Sequence, residues 1–279
     1  MSTSQWTTLP NVDGIPENTK IRAQRPEKLN CINEKTAQQL LEAVVDFEKD
    51  KDARVAVIYG KDGCFCSGWD LDSLFGEDEK GAMNMSKLPG LLGPPRRNLI
   101  SKPMIAAVNG LAVAGGLELA LLCDMRVAEE DAVFGVYSKK YGVPLVGGGT
   151  VRLPALIGVS RAVDLILTGR GVSGQEALQM GLANRIVDRG TAVGEAVKMA
   201  TLIAKYPQEY MLADRKSVYY ATYNAKTHDD ALLFEHDNGK EIIAKGSEGS
   251  PGFPSGAGSE DNGSDAKKKG KKPGTFHRL

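Results

Sequence analysis

The sequence predicts an α/β fold, and three observations carry that prediction. Short apolar, β-branched runs at 55–59 (Val-Ala-Val-Ile-Tyr) and 103–108 (Pro-Met-Ile-Ala-Ala-Val) end close to glycine and read as buried strands. Apolar residues recur at helical spacing in 34–49 and again beyond residue 190. A chain of 279 residues that is 42% hydrophobic is long enough to enclose one large core, or one core with a smaller helical appendage.

Taken in order, the first helix is expected over 34–49, where Ala37, Leu40, Leu41, Val44 and Val45 share a face and Asn33 can cap the N-terminus. The strand 55–59 stops at Gly60 and leads to the turn Cys64-Phe65-Cys66-Ser67-Gly68-Trp69-Asp70-Leu71. Residues 76–95, polar and then rich in Gly and Pro, read as a mobile loop or helix edge over a pocket. The strand 103–108 turns through Gly110, Gly115 and Gly116 into a helix-like run at 117–122. Further strands are expected at 124–128 and from Phe134. Helices follow at 160–167 and 193–204, the latter broken by Pro207, and two late helices at 211–223 and 229–244 have apolar faces suited to a neighbouring subunit. The organisation expected is an N-terminal extension (1–19), a core domain (20–200), a C-terminal helical region (201–258) and a disordered basic tail (259–279). No repeat shows as self-similarity.

Composition narrows the function classes. Lys plus Arg equals Asp plus Glu, 35 each, so net charge points to neither nucleic acid nor membrane partners, although the last 21 residues carry +3 and the body −3. Four cysteines (Cys31, Cys64, Cys66, Cys123) are too few for a disulfide framework. His228, His236 and His277 lie late in the chain, and no second Cys or His cluster completes a zinc site, so no metal is expected. No run is long enough to span a bilayer. The first twenty residues hold Asp13 and Glu17 but no Arg, against a mitochondrial presequence. The expected location is cytoplasmic or peroxisomal: His277-Arg278-Leu279 is a variant of the Ser-Lys-Leu address, or else the end of a solvated polar tail.

Chemistry is concentrated in the two glycine turns. Gly115 and Gly116 fall where the first N–H groups of a helix have no internal partner, and such an end attracts developing negative charge. One preorganised N–H donor is worth about 3 kcal/mol to a transition state that places charge on a carbonyl oxygen. Glu118, one turn along, is positioned to carry a proton. The competing explanation is close helix packing at the glycines, with Glu118 only complementing the helix dipole. Gly147-Gly148-Gly149 lacks the spacing of a dinucleotide site.

Several blocks together resemble the crotonase superfamily, the enoyl-coenzyme A hydratase/isomerase family, over residues 20–258. They are Arg25-Pro26-Glu27-Lys28-Leu29-Asn30, the turn from Phe65 to Leu71, the stretch from Pro103 to Glu118, Gly148-Gly149-Thr150-Val151-Arg152-Leu153, and the stretch from Leu167 to Ala183. The resemblance implies a spiral of strand-strand-helix units closed by C-terminal helices that trimerise, as a homotrimer or a dimer of trimers. It implies an acyl-coenzyme A thioester substrate of the kind met in fatty acid metabolism, with coenzyme A as part of that substrate and no separate cofactor. The thioester oxygen would sit between the N–H groups of Trp69 and Gly115. Ser67, Gly68, Asp70 and Leu71 would border it, and Lys28, Leu29 and Asn30 the adenine end, unless those three form a plain turn. Asp70 would brace its own turn. Tyr137 and Tyr141 would supply hydroxyls near the acyl carbons or serve as core aromatics. An acidic solvated loop accounts for Asp72, Glu77, Asp78 and Glu79.

Glu118 matches one of the two hydratase glutamates. The other falls on Ser138, a residue that cannot protonate carbon as a carboxylic acid does. Some relatives place an acid just before the Gly-Gly-Thr block, where this chain has Gly147. Three readings remain from the sequence: a hydratase in which Glu118 works with water alone, another crotonase reaction such as thioester hydrolysis or decarboxylation, or a non-catalytic acyl-coenzyme A binding protein.

Overall fold

The computed structural model describes residues 6–8, 20–75 and 100–246. Along the first half come β1 (Trp6–Thr8), β2 (Lys20–Ala23), α1 (Glu34–Lys49), β3 (Ala56–Gly60), α2 (Leu71–Phe75), β4 (Met104–Val108), β5 (Leu111–Val113) and α3 (Gly115–Leu122). The second half supplies β6 (Met125–Glu129), β7 (Val133–Gly135), α4 (Gly149–Ile157), α5 (Val159–Thr168), β8 (Gly171–Ser173), α6 (Gly174–Gln179) and β9 (Arg185–Val187). The helices α7 (Ala192–Lys205), α8 (Gln208–Tyr223) and α9 (His228–Gly246) close it.

Alternation along the central strands decides the layers. Strands β1-β2-β3-β4-β6-β9 form one sheet, parallel except at the β1/β2 edge. Successive side chains point to opposite faces. Val57, Tyr59, Ile105, Ala107 and Val127 therefore pack on Ala192, Ala196 and Met199 of α7, while Ile58, Met104, Ala106, Val108 and Ala128 join Leu40 and Phe47 of α1 and Leu117 and Leu121 of α3. Both faces are covered, which is why these strands read as continuous apolar runs. The α1 cap forms as expected: Asn33 and Thr36 exchange hydrogen bonds in a capping box.

The structure adds elements that the patterning did not reveal. The chain does not pass directly from β4 to α3; it first lays down β5 in a second, three-stranded sheet of order β5-β7-β8. The units β4-β5-α3 and β6-β7-α4 thus repeat a strand-strand-helix plan. Strands of three residues carry too little periodicity to register in sequence. The proposed cover at 76–95, with Glu77, Asp78 and Glu79, lies outside the described residues, as does the 259–279 tail with His277-Arg278-Leu279. Among the described residues no helix is long and apolar enough to cross a membrane. All four cysteines are buried thiols outside any disulfide, and burial pushes the Cys66 thiol up to about 12, so they behave as core residues.

Candidate active site

The site begins where two parallel segments touch. Cys66 and Ala112 form an isolated parallel bridge, with Cys66 N–H donating to Leu111 O (2.9 Å) and Val113 N–H to Cys66 O (3.1 Å). Trp69 and Gly115 each lie three residues beyond that bridge, so the register carries both to the same end of the pair. A second bridge, Ile32 with Trp69, has Ile32 donating to Gly68 O and Asp70 donating to Ile32 O. Since N–H groups alternate sides along an extended segment, the Trp69 N–H points away from Ile32. Among the described residues neither the Trp69 nor the Gly115 N–H donates to an acceptor.

Two glycines make the approach possible. A Cβ on Gly116 would stand 1.9 Å from the Cys66 carbonyl oxygen, and one on Gly68 would stand 2.8 Å from the Gly115 nitrogen. Gly68 also has φ +99°, a conformation that side chains resist. Ala114, the cap of α3, is held at φ 51° and ψ −123° by a hydrogen bond from its N–H to Gly135 O. Such a backbone costs an L-residue about 1–3 kcal/mol and is sustained by the surrounding packing.

A cavity of about 430 Å3 opens beside these turns. Of the residues singled out from sequence, Lys28, Leu29, Ser67, Trp69, Asp70, Leu71, Gly115, Glu118 and Ser138 line it, together with Tyr137 and Tyr141. Asn30 and Gly68 do not. Asn30 is buried, and its amide donates to the carbonyls of Lys61 (2.9 Å) and Cys64 (2.5 Å) while its Oδ1 accepts from Arg25 N–H (2.8 Å). Its side chain is thus committed to bracing the loop rather than to a ligand. Tyr141 is too exposed to be a core aromatic. Lys28 and Asp72 form an exposed pair at 2.9 Å, of the kind that contributes little.

Glu118 is 2% exposed and held by a specific cradle. Its Oε1 accepts N–H bonds from Gly147 (2.8 Å) and Gly149 (2.9 Å). Burial pushes its pKa up from the ordinary carboxylate range, against the opposing pull of these amides and of the Arg152 charge. A buried carboxyl tuned upward is suited to giving and taking protons near neutral pH. The Gly147 position, which lacks an acid, contributes its main chain instead.

Asp70 accepts from Arg25 Nη2 at 2.8 Å, an ion pair almost closed to solvent. Burial opposes the charge, but the Arg25 guanidinium prevails and holds the Asp70 carboxyl below the usual range. Asp70 therefore braces through Arg25, a partner that sequence spacing did not reveal. Ser138 Oγ and Trp69 Nε1 are buried without a hydrogen-bond partner among the described residues. A second cavity, of about 830 Å3, lies between α4, α8 and α9; Glu118 does not line it.

Comparison with known proteins settles the ancestry: the family described as enoyl-CoA hydratase/isomerase matches residues 18–254. The chain belongs to this family. It is similar to a mevalonyl-coenzyme A hydratase of Aspergillus fumigatus, 34% identical over 205 residues that cover 74% of this chain and 76% of that one. A probable mitochondrial enoyl-CoA hydratase of Dictyostelium discoideum is 36% identical over 215 residues, 77% of this chain and 76% of its own. Among solved structures, an enoyl-CoA hydratase from Mycobacterium tuberculosis superposes with a TM-score of 0.78 at 29% identity, covering 88% of this chain and 94% of the other. The mixed α/β crotonase architecture expected from the resemblance is the one these structures share with the chain.

Proposed function

We propose that this member of the family is an enzyme of the enoyl-CoA hydratase type, with the N–H groups of Trp69 and Gly115 receiving the thioester oxygen and Glu118 moving the proton. The observation that carries the reading is the shared register beyond the Cys66–Ala112 bridge, with both amides free of acceptors among the described residues. Two N–H groups aimed at one oxygen would stabilise the enolate that forms when water adds to the β-carbon. Water supplies hydroxyl to the β-carbon, the carbon–carbon double-bond electrons move toward the thioester oxygen, and Glu118 takes the water proton. The same carboxyl then returns a proton to the α-carbon, so the addition balances with one acid–base group. Relatives named for mevalonyl-CoA and carnitinyl-CoA widen the acyl class to be tested beyond straight chains.

Ser138 favours a second reading. With no carboxylate there and none at Gly147, the same cavity would serve thioester hydrolysis or decarboxylation, or binding without turnover. Loss of enoyl absorbance from crotonyl-CoA, which Glu118→Gln should slow by about 100-fold or more, tests the first reading. Thiol release from short acyl thioesters supports the second. An unchanged hydration rate in Glu118→Gln removes Glu118 from the chemistry. We also propose a homotrimer or dimer of trimers in which exposed Val218, Leu233 and Ile243 of α8 and α9 meet a neighbouring copy, to be read as molar mass by light scattering.

A further inference from the structure

Glu118 is fixed by a three-glycine turn, and the turn is fixed from behind. Arg152 Nη1 donates to the Gly147 carbonyl at 2.7 Å, while the N–H groups of Gly147 and Gly149 donate to Glu118 Oε1 on the other side. The guanidinium also lies close against the turn: a Cβ on Gly148, at φ +96°, would stand 2.3 Å from Nη1. Arg152 is buried, on the first turn of α4. The titratable groups that act on it are Tyr223 from α8, Glu118 from α3 and Cys123 at the end of α3. Arg152 is the charged group that acts on Glu118, beside the main-chain amides of the turn. Glu118 and Arg152 are thus both hydrogen-bonded to the one three-glycine turn.

We propose that Arg152 is a positioning residue for the catalytic carboxylate: through the Gly147 carbonyl it holds the turn whose amides bind Glu118 Oε1, and its charge acts on that carboxylate across the turn. The proposal rests on the reading of Glu118 as the proton carrier. Its physical basis is that a side chain anchoring the Gly147 carbonyl fixes the position of the turn whose amides bind the carboxylate, and that a charge removed from bulk water acts more strongly on its neighbours than one in solvent. The consequence is sharp where one carboxyl does the work of two. Ser138 offers no second acid, so the ionisation of Glu118 alone sets how much of the protein is active.

The test compares Arg152→Gln, Arg152→Lys and Glu118→Gln in hydration of crotonyl-CoA between about pH 6 and about pH 9. Without the arginine charge the active carboxylate requires higher pH. Arg152→Gln should move the acid limb of the kcat/KM profile to higher pH, losing up to about tenfold along that limb, as for a pKa rise of about one unit, and should recover to within about threefold on the plateau above it, with KM little changed. Arg152→Lys should keep the parent profile to within about threefold. Arg152→Met, of similar reach without charge, carries the same expectation if the glutamine variant does not fold. Equal loss at every pH, or no loss, overturns the proposal and leaves Arg152 a packing residue. Full activity in Glu118→Gln is a different failure, since it removes the carboxylate itself from the chemistry and the proposal with it. A reading free of turnover comes from infrared difference spectra of the parent against Glu118→Gln, which isolate the Glu118 carboxyl band. Its titration midpoint should rise by about one unit in Arg152→Gln, and an unmoved midpoint contradicts the proposal.

Discussion

The two walls of the 430 Å3 cavity are built on opposite plans. On one, Trp69 and Gly115 contribute main chain, and the glycines beside them are compelled by contacts of 1.9 and 2.8 Å that no side chain tolerates. On the other, Tyr137, Ser138 and Tyr141 from a single 3-10 turn, with Val143, Pro144 and Leu145 from the loop that follows, line the cavity. On the proposed function, the first wall would set what kind of charge can be stabilised, and the second which atom receives a proton.

The largest effect is expected on the rigid wall. Gly116→Val should abolish folding or cost more than about 4 kcal/mol, because the Cys66 carbonyl lies 1.9 Å from the new Cβ; thermal denaturation measures it, and a melt near the parent's would show that the turns yield. Arg25→Ala comes next, at about 3 kcal/mol, since it leaves Asp70 buried without its cation. The sign with pH follows from the lowered Asp70 pKa. The parent's stability from this pair is full above the ordinary carboxylate value of about 4 and is lost as pH falls through the lower folded value, and Arg25→Ala should flatten that acid slope in urea titrations.

Effects of the cavity side chains that lack a hydrogen-bond partner among the described residues should be small. Trp69→Phe removes an indole N–H that has no partner and leaves the main-chain donor in place, so turnover should stay within about threefold. Ser138→Ala should change stability by about 1 kcal/mol or less, toward stabilisation, because its hydroxyl is buried unbonded. A loss well beyond that would mean that Ser138 holds its wall as firmly as the glycines hold theirs.

The same contrast explains how much was legible in the sequence. Strands β3, β4 and β6 and helices α1, α5, α7, α8 and α9 announce themselves through apolar periodicity, and the Gly-rich turns through residue types that serve few other purposes. Strands β5, β7, β8 and β9 have three residues each, and apart from β7, expected from Phe134 and found at Val133–Gly135, they escape such patterns. Asn30 fits a family motif, yet it braces Lys61 and Cys64, because a motif position does not reveal which way a side chain turns. Arg126 passed unnoticed. It is buried and donates to the carbonyls of Cys123 and Leu182, closing the end of α3 against the loop before β9, a pairing 56 residues apart with no local signal. Arg152 stood within a recognised block, but its role is visible only once Gly147, Gly149 and Glu118 are seen together.

The proposed convergence of the Trp69 and Gly115 amides on one oxygen is tested most directly by the carbonyl stretch of crotonyl-CoA bound to Glu118→Gln, a variant expected to hold the thioester without consuming it. Two donors on that oxygen predict a band at lower frequency than in water. A band at or above the aqueous position would mean that the two N–H groups do not meet on the substrate, and would contradict the account.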